Sequence, residues 1–284
     1  MKLALLICSC VILTTACSKN DSDSPDTGTV TTEQMMHDVA YGPDAKQNMD
    51  IYLPGGRTTQ DTRTLVVIHG GGWTDGDKSD MAVGIDSFKL RFPHYAIINI
   101  NYRLANNSAN LFPSQENDVK AAIEFYLSKR AEYKVSGDLV VLGASAGAHL
   151  ALLHSYKNDP EKHVKAVIDF FGPTDLKALW NGGFVQQSIL VAITGKSYNQ
   201  DSVIYYQSSP INFVTTQSPP TIVLQGGADP LVPPSQSTSL ITRLEENGVI
   251  HELAYYPAEQ HGWVGASLTD SFDRIEAFII ANVP

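Results

Sequence analysis

Four short stretches of the chain are apolar at almost every position: residues 64–68 (T-L-V-V-I), 95–102 (Y-A-I-I-N-I-N-Y), 139–142 (L-V-V-L) and 221–225 (T-I-V-L-Q). A strand with one wet face alternates apolar and polar side chains. A strand that is apolar throughout has both faces covered, and sheets covered on both faces are mostly parallel. Residues 164–171 and 252–256 read as further strands, and residues 39–54 as two short strands around a turn. Helical segments fall between them. Residues 117–130 carry Val119, Ala122, Ile123, Tyr126 and Leu127 on one face with Ser114 as the N-cap, residues 146–156 follow the third run, residues 234–247 are stopped by Gly248, and residues 271–281 close the chain. This alternation specifies a doubly wound, mostly parallel α/β sheet with helices on both faces and right-handed crossovers. The crevice of such a sheet lies outside the carboxyl ends of its strands, so chemistry is expected directly after each apolar run.

The composition supports a globular domain: 43% of the 284 residues are hydrophobic and 18% charged. The formal net charge is −10 without basic runs, which excludes nucleic acid as the expected partner. The opening segment M-K-L-A-L-L-I-C-S-C-V-I-L-T-T-A-C has a Lys, an apolar core and then small residues, the pattern of an export signal over residues 1–16. It ends in T-T-A-C, similar to the sequence that precedes a lipidated cysteine, although Leu13 stands four residues before Cys17 rather than three. All three cysteines (Cys8, Cys10 and Cys17) lie here, so the exported domain has no internal thiol to pair. The expectation is a lipid anchor on Cys17, the only contact with membrane, and attachment to a bacterial cell envelope. The alternative is plain signal cleavage, giving a secreted or periplasmic protein. Residues 17–34 read as a solvated tether and residues 35–284 as one folded domain.

Three strand ends carry chemistry. The run 139–142 ends in G-A-S-A-G, which matches G-x-S-x-G, a strand-to-helix turn that lifts the Ser145 hydroxyl clear of the sheet. The run 64–68 ends in H-G-G-G-W, where glycines let backbone N–H groups approach a substrate oxygen. The expected oxyanion donors are the N–H groups of Gly71, Gly72 and Ala146, with the choice among the three glycines open by one position. His69 reads as a structural residue of that loop. A phosphate-binding loop would need Lys-Ser/Thr after its last glycine, and none is present. Asp229 follows the run 221–225, and His261 follows the strand 252–256. Serine is a poor nucleophile until an imidazole takes its proton, and that imidazole needs a carboxylate to fix its tautomer. The chain order Ser145, Asp229, His261 suits this assignment. Asp175 is the rival acid, because it too follows a strand. His149, four residues after Ser145, is badly aimed to reach the hydroxyl, and the other histidines lack a strand-end glycine context.

The chain resembles the α/β-hydrolase carboxylesterases of the hormone-sensitive-lipase superfamily, and most of all their BD-FAE-like branch of feruloyl and acetyl-xylan esterases. The resemblance rests on Q-N-M-D-I-Y-L-P, H-G-G-G-W, N-Y-R-L-A, F-P-S-Q-E-N-D-V-K-A-A-I, G-A-S-A-G-A-H-L-A, S-P-I-N-F-V, Q-G-G-A-D-P-L-V-P and H-G-W in family order. It implies an α/β-hydrolase fold with a small insert over the site and a Ser145–His261–Asp229 triad. It also implies a carboxylic ester as substrate, borne on a small molecule or on plant polysaccharide as acetyl or feruloyl groups. No metal or organic cofactor is implied. Few residues precede the strand leading to His69, which leaves little room for the helical N-terminal cap of the wider superfamily. The strand before Asp229 ends in Q-G-G where relatives often have His-Gly, a change expected to alter only packing. Residues 172–219 form the insert, whose Trp180, Phe184, Tyr198, Tyr205 and Tyr206 are either an aromatic rim for the substrate or local core. Rival readings are a prolyl-oligopeptidase-like peptidase, an arylformamidase, or a carbohydrate-binding lipoprotein without catalysis.

Overall fold

A computed structural model describes residues 32–106 and 108–283. Residues 1–16, Cys17 and most of the tether lie outside the described residues. Eight strands form one sheet: β1 (Gln34–Ala40), β2 (Asn48–Leu53), β3 (Thr64–Ile68), β4 (Ala96–Ile100), β5 (Leu139–Ala144), β6 (Val164–Phe170), β7 (Thr221–Gly226) and β8 (His251–Tyr256). Their order is β1-β2-β4-β3-β5-β6-β7-β8. The pairs β1/β2 and β2/β4 are antiparallel, and every pair from β4 through β8 is parallel. This is the α/β-hydrolase architecture, and the strands follow the apolar runs closely.

The continuous apolar runs serve two cores at once. In β3, Val66 and Ile68 point to one face while Leu65 and Val67 point to the other, and β5 divides Leu139 and Val141 from Val140 and Leu142 in the same way. Helices Ser114–Ser128, Ala146–Lys157 and Ser235–Glu246 cover the first face. Helices Ala82–Arg91 and Ala266–Asn282 cover the second through Phe88, Phe272, Ile275 and Ile279. The chain steps from β3 outward to β4, then crosses back to β5 and moves the other way. The loops leaving β3 and β5 therefore diverge, and a ligand crevice opens at that reversal.

Several boundaries differ from the sequence reading. Ser114 is the first residue of its helix and makes no side-chain cap; Pro113 holds the cap position. The first turn is buried through polar bonds, which apolar periodicity cannot register. Asp118 accepts from Gln47 Nε2 at 2.8 Å and from Arg103, and Gln115 Nε2 donates to the Arg103 carbonyl at 2.9 Å. The closing helix starts at Ala266, five residues before the expected 271, because that first turn is largely solvent-facing. Helix Ala82–Arg91 has no counterpart among the helices expected from sequence, because Val83 and Leu90 are exposed and blur its period. The domain also begins earlier than Met35. Gln34 opens β1, and the buried Arg57 guanidinium donates to the Thr32 carbonyl and to Gln34 Oε1, both at 2.8 Å.

Candidate active site

Ser145 stands between β5 and helix Ala146–Lys157 with φ 53° and ψ −118°. A side chain at positive φ is strained, and such strain persists where the surroundings over-determine it. The surroundings here are backbone against backbone. A Cβ added to Gly143 would lie 2.2 Å from the Gly147 carbonyl carbon, and one added to Gly147 would lie 2.2 Å from the Ile68 carbonyl oxygen. Glycine at both positions lets strand, turn and helix meet this closely. The Ser145 N–H donates to the Phe170 carbonyl at 2.8 Å, which fixes the turn to β6.

The structure brings Ser145, His261 and Asp229 into one line. His261 Nε2 lies 2.8 Å from Ser145 Oγ, and His261 Nδ1 lies 2.7 Å from Asp229 Oδ2. An ionised carboxylate only accepts, so the proton sits on Nδ1 and Nε2 is left to accept from the serine. The second oxygen of Asp229 accepts from the N–H groups of Leu231 at 2.8 Å and Val232 at 2.9 Å. Both carboxylate oxygens are thus held, and the aspartate is buried. The Phe171 ring packs on the imidazole with 4.7 Å between centroids.

The glycine loop lies beside this line. A Cβ on Gly70 would fall 3.5 Å from Ser145 Cβ and 2.9 Å from the Ala144 carbonyl oxygen. Gly71 and Gly72 have φ of +100° and +58°, and the Gly71 carbonyl accepts from the N–H groups of Thr74 and Asp75. Among the described residues the N–H groups of Gly71, Gly72 and Ala146 donate to no other group. Three N–H groups without a partner among the described residues therefore lie around the serine, at the positions named from sequence. His69 sits behind the loop, as its structural reading expects. It stacks on Tyr102 at 4.3 Å, its Nδ1 lies 2.8 Å from the Gly70 carbonyl, and burial pushes its pKa down.

The other candidates lie elsewhere. The Asp175 carboxylate accepts from the Ala178 N–H at 2.9 Å, capping helix Leu176–Trp180, while among the described residues the carboxylate bonded to His261 is that of Asp229. His149 is fully buried behind the elbow, with Nε2 2.6 Å from the Ser208 carbonyl and its pKa pushed down to about 4 by burial. Such an imidazole stays neutral, and both its ring nitrogens are engaged, by Trp73 and by the Ser208 carbonyl. Gln225, expected to affect only packing, reaches further. It accepts from Ser237 Oγ at 2.6 Å, donates to the Gly226 carbonyl at 2.9 Å, and stands 3.5 Å from Asp229 Oδ2. Among the described residues, no cluster of three or more His, Cys, Asp or Glu is placed to hold a metal ion.

A cleft of about 800 Å³ opens over Ser145 and His261. The insert contributes Leu179, Gln186, Ser188, Ile189 and Ala192 to it, and none of the five aromatic residues considered from sequence. Trp180, Tyr198 and Tyr205 instead pack on one another at 5.4–5.8 Å, while Phe184 and Tyr206 face solvent. Gln186 ties the insert to the acid loop, donating to the Pro230 and Leu231 carbonyls. It carried no motif and no period, so nothing in the sequence marked it.

Residues 49–244 match the family model described as BD-FAE. The chain belongs to the BD-FAE family. Among curated proteins it is 30% identical over 229 residues to "Esterase LipQ" of Mycobacterium tuberculosis, covering 74% of this chain and 53% of that protein. It is 29% identical to "Probable carboxylic ester hydrolase LipM" of the same organism, over 74% of this chain and 51% of that one. The chain thus spans about half the length of these curated relatives. Among solved structures, a truncated form of a carbohydrate esterase from gut microbiota is 26% identical with TM-score 0.74, covering 89% of this chain and 96% of that one. A bifunctional GH43-CE protein of Bacteroides eggerthii is 27% identical with TM-score 0.75, over 86% of this BD-FAE chain and 38% of its own.

Proposed function

We propose that the protein is a serine carboxylic-ester hydrolase. The observation that carries this reading is the unbroken line from Asp229 through His261 to Ser145 Oγ, beside three backbone N–H groups with no other use. In this reading Ser145 Oγ attacks the ester carbonyl carbon and passes its proton to His261 Nε2. The carbonyl π electrons move onto the oxygen, which takes up hydrogen bonds from Gly71, Gly72 and Ala146. Collapse expels the alkoxide, which leaves as alcohol with the proton from His261. A water then enters, gives a proton to Nε2, attacks the acyl-enzyme and releases the acid and free serine. Asp229 stabilises the imidazolium formed in each half. Hydrolysis of p-nitrophenyl acetate by the protein and by Ser145→Ala tests the reading. It predicts a loss of at least about 10³-fold in kcat for the variant; equal rates overturn it.

The substrate proposed is an ester on plant polysaccharide, such as an acetyl or feruloyl group. Family membership and the likeness to a solved carbohydrate esterase from gut microbiota support it. The open 800 Å³ cleft supports it as well, since an alcohol half carried on a polymer cannot enter a closed pocket. The same proposal takes residues 1–16 as an export signal and Cys17 as a lipid anchor at the cell envelope, on the pattern of charge, apolar core and small residues. Metabolic labelling with a fatty-acid analogue, present in the full chain and lost in Cys17→Ser, tests the anchor.

A further inference from the structure

We infer that the acyl half of the ester is seated in a second, apolar chamber behind Phe171, and that Gly84 sets its depth. This rests on the ester-hydrolase reading and narrows the substrate proposed with it: of acyl groups, an apolar one longer than acetyl is favoured over acetyl itself. The chamber, about 170 Å³, lies where helices Ala82–Arg91 and Ala266–Asn282 meet the carboxyl ends of β5 and β6. Its walls are almost entirely apolar, with Phe88, Leu142, Phe170, Trp263, Leu268 and Phe272 among them. Asp80, Met81, Ala144 and Phe171 line both the chamber and the main cleft, so the two spaces adjoin beside the residue that precedes Ser145, with Asp80 the one charged group at their shared rim.

Phe171 is the partition. Its φ is +46°, a genuine outlier for a bulky side chain. The N–H bond to the Leu224 carbonyl at 2.9 Å holds the backbone there, and the ring is packed between His261 at 4.7 Å and Trp263 at 5.3 Å. Strain of this kind at a site is maintained by surroundings that need the side chain where it is.

The order of events decides which half of the ester goes where. The alcohol leaves first, and water must replace it next to His261. The large cleft is lined by both Ser145 and His261, and the small chamber by neither. A group in the chamber therefore does not obstruct that exchange. The acyl group, which stays on Ser145 throughout, is the half that fits this requirement, and the chamber's apolar walls favour a hydrocarbon over a sugar.

Gly84 gives the test. It is the third residue of helix Ala82–Arg91, its φ is not in the left-handed region, and an added Cβ would meet only Phe272 Cζ at 3.9 Å. Gly84→Leu therefore enters the chamber without a backbone clash, and leucine favours the helix over glycine. Leu268→Ala enlarges the same space from the opposite helix. The measurement is kcat/KM for p-nitrophenyl acetate and hexanoate in the full domain. Wild type is expected to prefer hexanoate. Gly84→Leu should lower the hexanoate-to-acetate ratio at least tenfold with acetate hydrolysis within about twofold, and Leu268→Ala should raise the ratio. A ratio unchanged in both variants, or a parallel fall on both esters, overturns the chamber assignment while leaving the ester-hydrolase reading intact. A wild-type protein that hydrolyses neither ester overturns both.

Discussion

Trp73 donates its indole N–H to Nδ1 of His149 at 3.2 Å. The last residue of the glycine loop is thereby fastened to the second turn of the elbow helix, and His149 passes the tie on to the insert through the Ser208 carbonyl. The indole also packs edge-on to His149 at 5.0 Å and to Phe112 at 6.2 Å. The pair holds the N–H groups proposed as oxyanion donors, on both sides of Ser145, in one frame. Trp73→Phe keeps most of the packing and removes the bond, leaving a buried acceptor unpaired. The expected cost is about 1–2 kcal/mol in stability and roughly tenfold in kcat with little change in KM, since donor placement matters in the transition state. Steady-state kinetics beside urea unfolding checks both.

Asp229→Asn separates charge from position. The asparagine oxygen can still accept from Leu231 and Val232, which turns its NH₂ toward His261 Nδ1 and favours the wrong tautomer. A fall of about 10³–10⁴-fold in kcat with nearly unchanged melting temperature is expected. Measured activity within tenfold of wild type would assign the acid role to another group.

Stability should respond to pH through groups behind the site. Burial pushes His149 and His154 down to about 4 and Asp169 up to about 7. For the histidines the unfolded chain takes up protons that the fold does not, so stability falls as pH drops from about 6.5 to about 4. For Asp169 the fold keeps a proton that the unfolded chain releases, so stability falls as pH rises from about 4 to about 7. Asp169→Asn removes only the second effect. Its stability relative to wild type should therefore improve by roughly 3 kcal/mol between pH 4.5 and pH 8 in urea titrations. A difference independent of pH would contradict this.

Gly147→Ala should be among the most damaging single methyl additions in the domain. The new Cβ would strike the Ile68 carbonyl oxygen at 2.2 Å, with the His69 carbonyl at 2.4 Å. Both are backbone atoms of the strand end that carries the glycine loop, so neither can turn aside. A loss of about 3 kcal/mol or more is expected, read as insoluble expression or a melting point lowered by about 5 °C or more.

What the sequence made legible was what repeats or what punctuates. Runs such as 64–68 and 139–142 announced doubly covered strands, and glycines flanking Ser145 announced a turn that tolerates no side chain. The three residues of the line Ser145–His261–Asp229 could be proposed because each follows a strand, and strand ends of a parallel sheet converge. Contacts that depend on three-dimensional reach left no such trace. Nothing in the sequence around Gln225 signals more than packing, yet its amide donates to Asp229 and to the Val232 carbonyl from inside β7. The aromatic residues of the insert suggested a rim, but composition cannot tell a ring that faces a cleft from one that faces another ring. The apolar chamber is built from four separate segments, and Gly84 matters to it only because Phe272, almost two hundred residues away, lies opposite.

In the proposed reaction Ser145 is the nucleophile, activated by His261. A fluorophosphonate probe reads this directly, because it forms a stable adduct only with an activated serine and mimics the tetrahedral geometry of acyl transfer. The expected result is one adduct per chain, mapped by peptide mass to Ser145, abolished in Ser145→Ala and strongly slowed in His261→Ala. An adduct that persists in Ser145→Ala, or one mapped to another residue of the wild-type protein, would rule Ser145 out as the nucleophile.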